Sequence, residues 1–246
     1  MTKRILVFTY GAAAYLAFFA TFLYLIGFVS GLVVPKSIDS APTGPLGGAM
    51  LVNFGLITLF GLQHSLMARP WFKRAWTRVI PDAAERSTFV LATVIVLNFL
   101  FWQWQPMGGV LWHVEDPTLR MILLAISLTG WLIVLVATVL IDHFDLFGLR
   151  QVVLYLRGLP YTPLAFRQPW LYRRVRHPLY LGFLIAFWVA PTMTMAHFLF
   201  AVVLTCYILM AIQFEEQDLA HQHGRAYLEY RKRVPMLIPS STKKAA

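Results

Sequence analysis

Long apolar runs, separated by shorter polar segments, dominate the chain. The first runs from Ile5 to Val34, enough to cross the ~30 Å hydrocarbon core of a bilayer with some tilt or a protruding end. Lys3-Arg4 ahead of it imitates a secretory signal. The run is too long for a signal's apolar region and more runs follow, so an uncleaved anchor is expected. Ala13, Ala17 and Ala20, with Gly27 and Gly31, give it strips of small residues on which another helix can close. A Pro/Gly-rich segment, 35–48, leads to a second run from Ala49 to Met67. A third covers Ser87 to Trp104 and a fourth Leu119 to Ile141. From Pro178 to Glu215 lies one stretch too long for a single crossing, broken near its middle by Pro191-Thr192-Met193-Thr194. It reads as a helical hairpin turning between Pro191 and His197, with Pro178 at the first helical position and each leg near or slightly under one bilayer thickness.

The pattern therefore predicts an all-α, polytopic membrane bundle of about six spans. One domain is expected: four N-terminal spans in 1–141, a connector 142–177, the hairpin and a C-terminal segment in 178–239, and a tail 240–246. Composition agrees. Of 246 residues, 59% are hydrophobic and 13% charged, about half the charge of an ordinary soluble domain, and mean hydropathy is +0.64. A soluble globule, a disordered chain and a disulfide scaffold are all excluded, the last because Cys206 is the only cysteine. Cys206 itself, inside the last run without a base or second thiol, is expected to serve packing.

Charge then sets orientation. The net charge is +10, from 21 Lys and Arg against 11 Asp and Glu. With six spans, every basic residue except Lys36 and Arg120 falls on one face, so both termini are expected in the cytoplasm. The surplus is topology and needs no nucleic acid. In Trp71 to Ile80, residues Trp71, Phe72, Ala75, Trp76, Val79 and Ile80 share one helical face, with Lys73, Arg74, Thr77 and Arg78 opposite. That suits a helix lying in the headgroup region.

Ionisable residues near the membrane are costly, so their positions carry information. They cluster at the cytoplasmic ends: Gln63-His64, Asp142-His143-Phe144-Asp145, Arg176-His177 and Glu215-Glu216. Glu215 and Glu216 end a helix, where carboxylates oppose its dipole, and a cationic ligand group or arginine would offset that. The amides after Pro178 suit an anion. A zwitterionic amino-acid ligand bridging the two ends fits both. His113, His197, His221 and His223 read as solvated or loop residues, and no metal site is expected.

In the C-terminal third, RHPLYLG (Arg176 to Gly182) is followed by FEEQDLAHQHGRAYLEYRKRVPMLIP (Phe214 to Pro239). The ordered set RHPxYxG, EE, G-x-x-Y-x-x-Y and VPxLIP resembles the isoprenylcysteine carboxyl methyltransferase and phospholipid methyltransferase families. That resemblance implies an integral-membrane enzyme using S-adenosylmethionine. It places His177, Tyr180, Leu181, Gly182, Glu215, Glu216, Tyr227, Tyr230 and Arg231 at or beside the cofactor; Arg176 either joins them or anchors a lipid phosphate. Upstream, QHSLMARPWFKRAW (Gln63 to Trp76), ERSTFVL (Glu85 to Leu91) and DHFDLFGLRQ (Asp142 to Gln151) look like the NnrU-type branch. Nearly the full chain is similar to the bacterial methanethiol S-methyltransferases, which make dimethyl sulfide from a small thiol.

Such a reaction needs the thiolate, hence a base. His143 or His64 is the candidate, with Asp142 or Asp145 as orienter. The competing reading is that both histidines only bond carbonyls at helix ends. Tyr227 and Tyr230 equally suit an interfacial aromatic belt. Three other functions remain open: a methyltransferase of a lipid-borne acceptor, marked by a wide lateral opening between helices where a methanethiol enzyme should have a small closed acceptor cavity; a haem protein with His64 and His143 as axial ligands; and a membrane scaffold.

Overall fold

Every long apolar run becomes a helix. The structure is a computed structural model and describes residues 1–42 and 44–239; the tail with Lys243 and Lys244 lies outside the described residues. The helices are α1 (Thr2–Ser30), α2 (Leu46–Ala68), α3 (Pro70–Trp76), α4 (Asp82–Gln103), α5 (Pro117–Ile141), α6 (His143–Leu146), α7 (Leu149–Arg157), α8 (Pro178–Trp188), α9 (Met195–His223) and α10 (Arg225–Arg233). Two short strands, β1 (Val110–His113) and β2 (Thr192–Thr194), and a 3₁₀ turn at Trp170–Arg173 complete the described residues. α1, α2, α4, α5 and α9 are long and apolar enough to cross a membrane; the protein is an integral-membrane helical bundle.

The sixth expected span is a partial one. α8 has 11 residues, about 16 Å at the helical rise, against a ~30 Å core. It ends at Trp188 because Pro191 cannot continue it, and the chain then runs extended. Thr192–Thr194 pairs antiparallel with β1, joining Thr194 to Val110 and Thr192 to His113. The Trp112 indole also donates to the Ala190 carbonyl at 3.0 Å. This strand pair closes the end of the bundle opposite the one where α1 begins and α9 ends. There Asp39 accepts from His197 Nδ1 at 3.0 Å, while His197 Nε2 meets the Phe187 carbonyl at 2.9 Å. His197, expected to be a solvated or loop residue, is instead 1% exposed in the first turn of α9. Cys206 also departs from expectation: it faces outward on α9 rather than packing inside.

Packing at the closed end is aromatic, and α5 meets α8 through small residues. Trp104 meets Phe28 and Phe200 edge-on, with centroids 5.8 and 5.9 Å away, a favoured geometry for π systems. α5 and α8 cross backbone to backbone at Gly130 and Gly182. A Cβ on Gly182 would lie 2.6 Å from the Gly130 carbonyl oxygen and 2.9 Å from Val134 Cγ2. Gly182 is thus a packing residue at the crossing of α5 and α8. Gly182→Ala forces α5 and α8 apart, and a loss of about 1–3 kcal/mol is expected, measured as a lower unfolding midpoint in detergent.

The first part of the connector is helical. Asp142 takes φ 118°, reversing the chain after α5, and its Oδ1 caps α6 by accepting from Asp145 N at 3.0 Å. α7 then packs on α1, with Val152 fully buried against Gly11. The expected interfacial helix is shorter than the pattern suggested. α3 ends at Trp76, Val79 is 80% exposed, and Lys73 turns inward rather than to the solvent face.

Candidate active site

A large cavity opens at the end of the bundle where α1 begins and α9 ends. Its volume is about 1350 Å³, larger than the ~300–1,000 Å³ of ordinary ligand pockets. His64, Asp142, His143, Asp145, Arg176, His177, Tyr180, Glu215, Tyr227 and Tyr230 all line it. Residues up to 166 positions apart in sequence are therefore brought to one space by α2, α5, α6, α8, α9 and α10. Leu181 packs on the core, Gly182 sits in its helix crossing, and Glu216 and Arg231 stand behind the wall.

The two glutamates separate by role. The Glu216 side chain is 8% exposed and sits between two polar partners: Arg176 Nε donates to Oε1 at 2.7 Å, and His177 Nε2 lies 3.0 Å from the same oxygen. Arg231 stands 3.8 Å from Oε2. Arg176 also donates to the Val234 and Arg231 carbonyls, at 2.6 and 3.1 Å. The backbone amides of Arg176 and His177 bond the Pro235 and Met236 carbonyls at 2.9 and 3.1 Å. The RHP and VPxLIP motifs are thus two halves of one buried joint with Glu216 at its centre. Glu215, with its side chain 44% exposed and the His177 Nδ1 atom 3.8 Å away, lines the cavity.

Gly224, at φ 54°, breaks α9 from α10 and swings Tyr227 and Tyr230 under Phe166. The Tyr230 hydroxyl donates to the Tyr172 carbonyl at 2.6 Å; burial pushes its pKa up to about 12, with Arg176 opposing the shift. The Tyr227 phenol is also raised by burial, so it stays protonated. Its hydroxyl is buried, lines the cavity and has no partner among the described residues. Gln151 Oε1 is in the same position. The Gln151 amide is held by Nε2 donating to the Asp145 carbonyl at 3.0 Å, which fixes Oε1 as the free acceptor. Unpaired buried polar atoms cost free energy, which makes these two candidates for a ligand's polar groups. Gln151 closes the DHFDLFGLRQ motif, but nothing in its spacing singled it out.

The two candidate bases also part company. Thr138 donates to the Leu135 carbonyl at 2.7 Å, so its oxygen accepts from His143 Nδ1 at 2.9 Å; Tyr15 then donates to His143 Nε2 at 2.9 Å. Both nitrogens are occupied, and burial lowers the His143 pKa, partly offset by Asp142. His64 differs. Thr93 donates to the Phe89 carbonyl at 3.0 Å and receives His64 Nδ1–H weakly at 3.4 Å. Nε2 has no partner among the described residues and faces the cavity, with the ring held between Phe60 and Phe89 at 5.4 and 4.8 Å. Neither expected carboxylate reaches an imidazole. Asp145 is taken by Arg150 at 2.8 Å and Tyr161 at 3.3 Å, and Asp142 by its cap. The orienting groups are threonines one helical turn from a carbonyl acceptor, a pairing with no recognisable sequence signal. At the mouth, burial holds the Lys73 ammonium below its ordinary range, with Glu85 the largest opposing influence.

An integral-membrane bundle with one deep, polar-mouthed cavity is the architecture of an enzyme that works at a bilayer. Among known proteins, the chain is 51% identical over 237 residues to a methanethiol S-methyltransferase of Mycobacterium tuberculosis, covering 96% of this chain and 97% of the relative. It is 49% identical to one from Crocosphaera subtropica, over 99% of this chain and 95% of that one. Nurim of Xenopus laevis is 32% identical over 69% of this chain and 62% of its own. The chain belongs to the methanethiol S-methyltransferase family. No protein-family model and no solved structure matches it.

Proposed function

We propose that this protein transfers a methyl group from S-adenosylmethionine to methanethiol, giving dimethyl sulfide, in a cavity open to the cytoplasm of a bacterial inner membrane. The carrying observation is a cavity lined by an exposed carboxylate and by residues with two unpaired buried polar atoms near its mouth and, further in, by an imidazole whose Nε2 is bare. The cytoplasmic orientation is supported by the basic residues. Among the described residues, only Lys36 and Arg120 lie at the closed end.

The lining fits the proposed cofactor. Glu215 suits its α-ammonium, while the Tyr227 hydroxyl and Gln151 Oε1 suit polar groups of its nucleoside part. When bound, S-adenosylmethionine supplies an electrophilic methyl group on a sulfonium sulfur. Residues 142–177 and 178–239 wall this end, and the whole chain acts as one methyltransferase domain. His64 Nε2 takes the thiol proton, and Thr93 holds the ring in the tautomer that leaves Nε2 unprotonated. Phe60 and Phe89 keep water from the nascent thiolate, whose reaction with a cation consumes charge and so suits a dry site. The haem reading needs two free imidazole nitrogens, but both nitrogens of His143 are engaged.

Headspace gas chromatography on membranes given S-adenosylmethionine and methanethiol tests the activity; cofactor binding without dimethyl sulfide would overturn the acceptor. Glu215→Gln is expected to weaken S-adenosylmethionine binding by about 10- to 100-fold, the range for a hydrogen bond to a charged group. Titration calorimetry on the purified protein measures it, and unchanged affinity would remove Glu215 from the site.

A further inference from the structure

Methanethiol is one carbon and one sulfur, and the cavity is far deeper than that acceptor needs. Near His64 and Thr93 the wall changes character. Toward the closed end, α1, α2, α4 and α9 contribute only apolar side chains: Leu25, Ile57, Leu97, Leu100, Phe200 and Leu204 among them. Ile57 lies seven residues before His64 on α2, and Leu100 seven after Thr93 on α4, so the lining continues about 10 Å beyond the imidazole. Every ionisable side chain on these four helices that lines the cavity lies at His64 or on the mouth side of it. The sulfur of a thiol held at Nε2 thus has the polar end on one side and a long apolar chamber on the other.

We propose that this site also methylates alkyl thiols with longer apolar tails, the sulfur at His64 Nε2 and the tail in the inner chamber. This rests on the methyltransferase reading above. The new bond joins the thiol sulfur to the methyl carbon as the donor's sulfonium–methyl bond breaks. The thiol proton goes to His64 Nε2, and the products are an alkyl methyl sulfide and S-adenosylhomocysteine. Each methylene moved from water into such a chamber favours binding about fourfold. A butyl tail therefore raises kcat/KM over methanethiol by at least tenfold, referred to free aqueous thiol.

The test gives full-length protein in detergent S-adenosylmethionine with methanethiol and 1-butanethiol together, free thiol concentrations being read from the headspace. Butyl methyl sulfide forming faster per free thiol than dimethyl sulfide supports the proposal. Dimethyl sulfide forming with butyl methyl sulfide equal or slower overturns it and leaves the methanethiol reading intact; if neither sulfide forms, that reading falls as well. Calorimetry without the methyl donor should find 1-butanethiol bound more tightly than methanethiol, and equal affinities overturn the proposal. Leu97→Trp, or Ile57→Phe if that variant does not fold, fills the chamber and should lower the butyl-to-methyl rate ratio at least fivefold. An unchanged ratio in a folded variant overturns it.

Discussion

His64→Phe should lower kcat/KM for methanethiol methylation by about 10²- to 10⁴-fold, the span of a general base's contribution. Phenylalanine keeps an aromatic ring between Phe60 and Phe89 and removes both nitrogens, so the loss reports on Nε2 rather than on packing. S-adenosylmethionine affinity should change little, because the proposed cofactor groups lie toward the mouth. In the native protein the rate should fall at acid pH, since a protonated Nε2 accepts nothing, and that acid limb should disappear in the variant. His143→Phe is the control: its nitrogens are already bonded to Thr138 and Tyr15. Comparable losses of rate with unchanged cofactor affinity in both variants would reject His64 as the distinct base.

Glu216→Ala should be the most destabilising single change near the site, by about 3–5 kcal/mol. It strands the Arg176 guanidinium and removes the acceptor facing His177, in a joint where the Arg176 and Glu216 side chains are 11% and 8% exposed. Thermal unfolding in detergent measures the loss. Combining Glu216→Leu with Arg176→Met should recover part of it, because removing both charges spares the penalty of leaving one buried alone. Glu215→Gln, one residue away, should leave the unfolding midpoint nearly unchanged. If the two single variants behave alike in stability and in cofactor binding, the division of labour between them is wrong.

That division shows where reading the chain stops. Glu215 and Glu216 are identical side chains at adjacent positions, and the sequence treats them as one motif. Helical geometry turns consecutive residues about 100° apart, so one meets Arg176 and His177 and the other meets the cavity. Gly182 gives a similar lesson. Its motif marks it as special, and the close approach of the Gly130 backbone is a reason the motif does not show. Thr93 and Tyr15 had no local signal because their histidine partners lie 29 and 128 positions away.

By itself the sequence determined the membrane-spanning helices, the face on which basic residues gather and the family. Each depends on local quantities: apolar run length against bilayer thickness, charge at run ends, and ordered motifs. Only the tertiary structure decided that the sixth span is half helix and half strand-paired segment. It also decided that the connector is folded onto α1, that Glu216 is sealed while Glu215 is open, and that His64 rather than His143 keeps a free nitrogen. Those outcomes depend on which distant groups satisfy each donor and acceptor, and hydrogen-bond partners are assigned by three-dimensional packing, not by position along the chain.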